Sequence, residues 1–244
     1  RSFSQSTTND LKKHIDSLFK AGATKLIVDL RNNPGGLLEQ AIDVSSLFIK
    51  KGEVLVKTEG RLASLNKTFK SSGNSYSLDI PIIILINKGS ASASEIVAGA
   101  LQDLKRALII GNQSFGKASV QIIIPLKNDA GIRLTTAHYF TPLGKEIHET
   151  GIEPNLIIAN IVKKEKLSTN SKKLTEQELI RKMQNKKEEK GAEDDIKNLK
   201  RALVDLENDK QLDEAVKLLA TKDIFKMIKE VNLNQKEQVA NATH

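Results

Sequence analysis

The 244-residue sequence has no cysteine and no tryptophan, and only two tyrosines and seven phenylalanines. Without cysteine there is neither a disulfide framework nor thiolate chemistry. Scarce aromatic rings leave little for base stacking. The formal charge of +8 therefore does not read as a nucleic-acid surface, because its lysines and arginines are interleaved with acids and form no long basic run. No stretch approaches the roughly 20 apolar residues of a membrane span. The longest, "IPIIILIN", has the length of a buried strand. The opening "RSFSQSTTND" carries no apolar signal-peptide core, so an export leader is expected only outside this stretch.

What is present alternates between strand and helix patterns. Thr8 or Asn9 is placed to cap a helix running to about Lys20, with Gly22 as its stop. "TKLIVDL" reads as a strand buried on both faces, followed by the turn "RNNPGG". Leu37 to Lys50 has helical spacing of Leu38, Ile42, Ser45 and Ile49. "EVLVKTEG" and "RLASLNKTFK" resemble a hairpin. The strand "IPIIILIN", the helix "SASEIVAGALQDL" and the strands "RALIIGN", "SVQIIIPL" and "IRLTTAHYFTP" complete an α/β core, closer to repeated β-β-α units than to a doubly wound sheet. Beyond about residue 160 glycine and proline nearly vanish and helix formers dominate. We therefore divide the chain into a core, 1–160, and a charged helical region, 161–244, expected to cap the core or to pair with a second copy. Thr175 with Glu178 forms a capping box there. Ile196, Leu199, Leu203 and Leu206 make one apolar stripe, and Leu212, Val216 and Leu219 another.

Two stretches invite chemistry. "GNQSFGKAS" (111–119) has the glycine and lysine spacing of a phosphate-binding loop. That loop needs Ser or Thr directly after the lysine and a helix to follow. Ala118 follows Lys117 here, and the next residues are β-branched and closed by Pro125, so nucleotide binding is not expected. The second stretch is "NKGSASASEIVAGALQD" (87–103), where a strand turns into a helix. Serines at a helix start usually act as caps. Ser90, Ser92 and Ser94 exceed what a cap needs, and a strand-to-helix turn also exposes a hydroxyl as a nucleophile elbow does, with helix N–H groups near a developing oxyanion.

A nucleophilic serine needs a base. None of His14, His138, His148 and His244 has an orienting carboxylate at a readable spacing, so a Ser-His-Asp triad is weakly supported. A lysine serves if its amine is neutral. Lowering a lysine by about 3 pKa units from about 10.4 costs roughly 4 kcal/mol, which burial among apolar neighbours supplies. Lys117 has Phe115, Val120 and Ile122–Ile124 close in sequence and no adjacent acid.

The segments "LIVDLRNNPGGLL", "IILINKGSASASEIVAGALQDLKRALIIGNQSFGKASVQ" and "IRLTTAHYFTPLGKEIHETGIEPN" resemble the C-terminal processing peptidases, or tail-specific proteases, over about residues 25 to 155. The resemblance implies a crotonase-like core and a Ser-Lys endopeptidase that needs no metal or organic cofactor. It implies Ser92 as nucleophile, Lys117 as base and Gln121 orienting the lysine. Strand alternation puts 117, 119 and 121 on one face. The implied oxyanion hole takes the N–H of Ala93 and one from the Gly35–Gly36 turn, and Glu95, Asp103 and Ser114 match supporting positions. Ala118 and Asn155 depart from the family's usual Gly and Asp. The PDZ-like domain that family members carry upstream is missing from these residues. Expected partners are protein or peptide substrates bound extended, with homo-oligomers through the C-terminal helices and no nucleic acid or nucleotide. The implied location is the bacterial cell envelope or periplasm.

Overall fold

The computed structural model describes residues 2–73, 75–126, 130–159 and 209–230. Its centre is a parallel sheet of β1 (Leu26–Asp29), β4 (Ile82–Ile86), β5 (Leu108–Gly111) and β8 (Leu156–Ile157), in the order β1-β4-β5-β8. Every residue of β4 is buried, as a strand covered on both faces requires. Ile82, Ile84, Ile86 and Ile109 point into the larger core, which they share with Ile15 of α1 (Thr7–Lys20), Ala41 and Val44 of α2 (Leu38–Ser46), and Ile96 and Val97 of α3 (Ala93–Asp103). Ile83, Leu85, Leu108 and Ile110 point the other way, onto Ala215, Leu218 and Leu219 of α4 (Lys210–Thr221), with Ile224 and Ile228 beyond it.

The second sheet is antiparallel, in the order β3-β2-β7-β6, from β2 (Val54–Gly60), β3 (Lys67–Lys70), β6 (Ser119–Pro125) and β7 (Gly131–Phe140). The expected hairpin of β2 and β3 is present, with a single 3₁₀ turn, Ala63–Leu65, between its strands. Thus the fold is α/β with one parallel and one antiparallel sheet. The loops leaving β1, β4 and β5 all emerge at the carboxyl edge of the parallel sheet, where open α/β sheets bind ligands. No helix among the described residues is long and apolar enough to cross a membrane.

Three expectations change. α1 starts at Thr7 behind Ser6, because Thr8 is drawn to Gln40, whose Oε1 accepts both its N–H and its hydroxyl. α2 ends at Ser46 rather than Lys50. Ser46 Oγ bonds back to the Ile42 carbonyl, and Leu47, Phe48 and Ile49 then turn into the core together, which a straight helix could not do. In α4 the buried face is Gln211, Ala215, Leu218 and Leu219, while Val216 is exposed. Gln211 is pulled inward by polar partners, which rotates the helix away from the stripe its leucines suggest. The capping box at Thr175 and the Ile196–Leu206 stripe lie outside the described residues.

One buried arginine, Arg106, and one partly buried, Arg31, hold the layers. The Arg106 guanidinium donates to the carbonyls of Phe48, Ile80 and Ser77 at 3.0, 2.8 and 3.2 Å, and burial pushes it down to about 10. Arg106→Met would leave three carbonyls without their donor. Chemical denaturation should show a loss of about 2–4 kcal/mol. Arg31 ties α4 to β1 through Asp209. Burial pushes the Asp209 carboxyl up, but hydrogen bonds from Arg31 and the Leu212 N–H prevail and hold it below the usual range. A depressed carboxylate contributes stability above its unfolded value, about 4, and loses it as pH falls through the folded value. Urea melts between about pH 5 and 2 should therefore show a shallower loss of stability for Asp209→Asn than for the unaltered chain.

Candidate active site

The serine cluster divides by role. Ser90 and Ser94 are fully buried. The Ser90 hydroxyl donates to the Leu30 carbonyl at 2.8 Å and accepts the Asn87 N–H at 3.0 Å, and Ser94 Oγ donates to the Asn33 carbonyl at 2.9 Å. These two serines pin the turn after β4 to the loop after β1. Ser92, between them, is partly exposed and has φ +55°, ψ −114°. Positive φ at a residue with a Cβ costs on the order of 1–3 kcal/mol and persists only where the surroundings enforce it.

What enforces it is packing. A Cβ added to Gly35 would lie 2.5 Å from the Ala91 carbonyl oxygen, 2.7 Å from the Ala93 nitrogen and 2.8 Å from the Ser92 Cβ. Only glycine lets the two turns touch. The Gly35 N–H is held by Asn33 Oδ1 at 3.0 Å. By contrast, the N–H groups of Gly36 and Ala93 have no acceptor among the described residues. The Ala93 N–H opens α3, where the helix dipole favours negative charge. This corner therefore offers free amides beside a hydroxyl on a strained turn.

The Glu95 carboxylate joins this turn to the loop that carries Lys117. It is 1% exposed and accepts four hydrogen bonds. Oε2 takes the N–H of Ser92 at 2.7 Å and of Lys117 at 2.9 Å; Oε1 takes the Ser114 hydroxyl and the Gly116 N–H, each at 2.6 Å. One oxygen atom thus fixes the backbones of Ser92 and Lys117. Ser114 also accepts the Ile152 N–H at 2.6 Å, and the Phe115 N–H reaches the Ser90 carbonyl at 2.9 Å. After Lys117 comes strand β6, not a helix, so the phosphate-loop geometry is absent.

The lysine itself differs from the sequence reading in two ways. Its residue is exposed, so its apolar sequence neighbours do not bury it: Phe115 is 65% exposed, while Ala118 and Val120 point inward. An acid is also adjacent, since the fold brings Glu95 to its amide. Gln121 is exposed on the outward side of β6, as is Lys117, with Ser119 half-buried between them. The Gln121 amide donates to Thr135 Oγ1 at 3.2 Å, and no hydrogen bond joins it to Lys117, nor Lys117 to Ser92. Asp103 accepts the Leu143 N–H at 2.9 Å, which ties the end of α3 to the turn after β7.

His138 has a carboxylate partner that its sequence spacing did not reveal. Its Nδ1 lies 2.8 Å from Glu146 Oε1, and its ring lies 4.3 Å from that of His148. The turn after β7 carries both partners back to the strand. The departures from the family pattern are accommodated. Asn155 Oδ1 accepts the Ile109 N–H at 2.9 Å, and Ala118 is buried in the core. Among the described residues no cluster of three or more His, Asp or Glu could hold a metal. Sequence reasoning missed the joining role of Glu95, the anchoring of Ser90 and Ser94, and the capping of Gly35 by Asn33.

Residues 1–158 match peptidase family S41. The chain is 45% identical over 221 residues to the carboxy-terminal-processing protease of Bartonella bacilliformis, covering 89% of this chain and 50% of that protein. It is 41% identical over 155 residues to the carboxy-terminal processing protease CtpA of Bacillus subtilis, covering 64% and 33%. A photosystem II D1 C-terminal processing protease superposes with a TM-score of 0.60 at 35% identity, over 64% of this chain and 40% of that one. The chain spans half or less of the length of these relatives. With its sequence match running through β1, the serine turn and the Lys117 loop, the chain belongs to peptidase family S41.

Proposed function

We propose that this chain carries the catalytic core of a serine endopeptidase that cleaves peptide bonds in or near flexible C-terminal regions of proteins, with Ser92 as nucleophile and Lys117 as base. The observation that carries the reading is the shared Glu95 oxygen, which fixes both backbones beside two amides that lack acceptors. The two-sheet core is read as crotonase-like on the same resemblance. The site of action is read as the bacterial envelope, by likeness to the bacterial relatives.

In this mechanism neutral Lys117 removes the proton from Ser92 Oγ as Oγ bonds to the scissile carbonyl carbon. The carbonyl oxygen becomes an oxyanion in front of the Gly36 and Ala93 N–H groups, which donate to it without reorganising. The lysine ammonium then protonates the leaving nitrogen as the C–N bond breaks. Water attacks the acyl-enzyme while the lysine takes its proton, and the regenerated serine hydroxyl receives that proton as the ester opens. Lys117 is exposed, so the bound substrate is what excludes water from it. An extended chain lying over Phe115 would do this, and desolvation favours the neutral amine. On the same resemblance Gln121 is read as the residue that orients the lysine, a role that requires its amide to leave Thr135.

Mass-spectrometric detection of cleavage of an unstructured protein tests the reading. Ser92→Ala and Lys117→Ala should each lower kcat at least about 1000-fold with the fold intact. For the unaltered chain the rate should climb from pH 6 to 10 with no histidine limb near about 6.5. Unchanged cleavage in either variant would remove that residue from the mechanism. Glu95→Gln keeps the side-chain shape but loses two acceptor positions. We expect kcat about 100-fold lower with KM little changed, as loss of the two hydrogen bonds accepted by one oxygen would give. A change confined to KM would instead make Glu95 a substrate-binding group.

A further inference from the structure

Arg31 lies just after β1, four residues before Gly35. Its side chain is 11% exposed, and all five of its N–H donors are used. Nε and Nη2 meet Asp29 at 2.9 and 2.7 Å. Nη1 and Nη2 meet Asp209 at 2.8 and 2.6 Å. Nη1 also donates to Gln211 Oε1 at 3.1 Å. Asp209 in turn caps α4, accepting the Leu212 N–H at 3.1 Å. Gln211 is 1% exposed. Its amide nitrogen donates to Asn112 Oδ1 at 3.0 Å and to the Ile158 carbonyl at 2.7 Å. Asn112 opens the loop that leads to Lys117, and its own N–H is held by the Ile86 carbonyl at the end of β4.

One polar network at the start of α4 therefore touches the roots of both loops that build the candidate site. Anchoring the helix does not require it, because Ala215, Leu218 and Leu219 already bury an apolar face on the sheet. Burying a guanidinium and a carboxylate is costly unless every donor is matched, and here each is. The network ends at the loops whose placement has the least slack, since Gly35 touches the Ser92 turn with no room for a methyl group. A shift of about 1 Å in such a site costs on the order of 100-fold in rate.

We propose that Asp209 and Gln211 are positioning residues for the peptidase site. By holding Arg31 and Asn112 they set the Gly35–Gly36 turn and the Lys117 loop against each other, so the C-terminal helix is part of the catalytic apparatus while contacting no substrate. The proposal rests on the assignment of Ser92 and Lys117 above.

The test uses the full chain with Asp209→Asn, Gln211→Leu and, as a control, Leu218→Ala, which loosens α4 without touching the network. Asn caps a helix as well as Asp does, so the first variant separates charge pairing from capping. Amide hydrogen exchange is followed at Gly35, Leu37, Phe115, Gly116 and Lys117, all hydrogen-bonded in the resting structure. The expected result is exchange at least about 10-fold faster at these amides in Asp209→Asn and Gln211→Leu, with β4 unchanged and no selective effect of Leu218→Ala. In turnover, kcat should fall roughly 10-fold with KM constant, well below the melting temperature. Unchanged exchange in Asp209→Asn would overturn the proposal, as would equal loosening of these amides in Leu218→Ala. If the unaltered chain cleaves nothing, the Ser-Lys assignment fails while exchange still decides whether the network positions the loops. If it cleaves and exchange is unmoved, the dyad stands and the positioning role falls.

Discussion

A single buried carboxylate sets the geometry of this molecule's working end. Glu95 is enclosed at the first turn of α3, and a charge there is tolerable only because four donors meet it. Those donors come from two loops separated in sequence by the rest of α3 and all of β5. The electrostatic need to satisfy one ion therefore becomes a constraint on where two chain segments lie. That constraint fixes the backbones of Ser92 and Lys117, and the close packing of Gly35 enforces the strain at Ser92. Each loop is also pinned from behind: Ser90 and Ser94 hold the serine turn to the β1 exit, and Ser114 holds the lysine loop to the turn at Ile152.

The architecture makes such an arrangement affordable. A parallel sheet buried on both faces is rigid, and its strands release their loops at one edge. Alternate residues of β4 face α1–α3 and α4. The antiparallel sheet supplies the strand that carries the chain outward from Lys117. Helices on both faces thus stabilise the platform, and the irregular, polar and strained segments gather at its carboxyl edge.

Much of this could be read from the sequence, for identifiable reasons. The strands announced themselves as short β-branched runs between turn residues. Gly35 and Gly36 stood in a turn that had no other use for two glycines. Ser92 and Lys117 were singled out because their neighbours form long, specific segments. Glu95 was harder, because a glutamate three residues after a helix-capping serine already has a local explanation. Only the fold brings residues 114 to 117 to its far oxygen. Arg31 and Asp209 are 178 residues apart, and no local pattern links them. The register of α4 was misread because its sequence supports two neighbouring stripes, and a buried glutamine decided between them. Exposure of Lys117 could not be seen from its apolar neighbours, since Val120 turns to the core and Phe115 is itself exposed, so neither covers the lysine.

The backbone at position 92 also has a meaning for how such a chain changes over generations. Glycine would adopt φ +55° at little cost, whereas a side chain there is held against a gradient on the order of 1–3 kcal/mol. Random substitution filtered by folding alone would drift downhill to glycine, and nothing in the packing would pull it back. A serine at this point is a residue that stability does not choose. On the proposal that Ser92 is the nucleophile, its presence records a demand from outside the fold, and its loss in a descendant would be an early sign that the demand had lapsed.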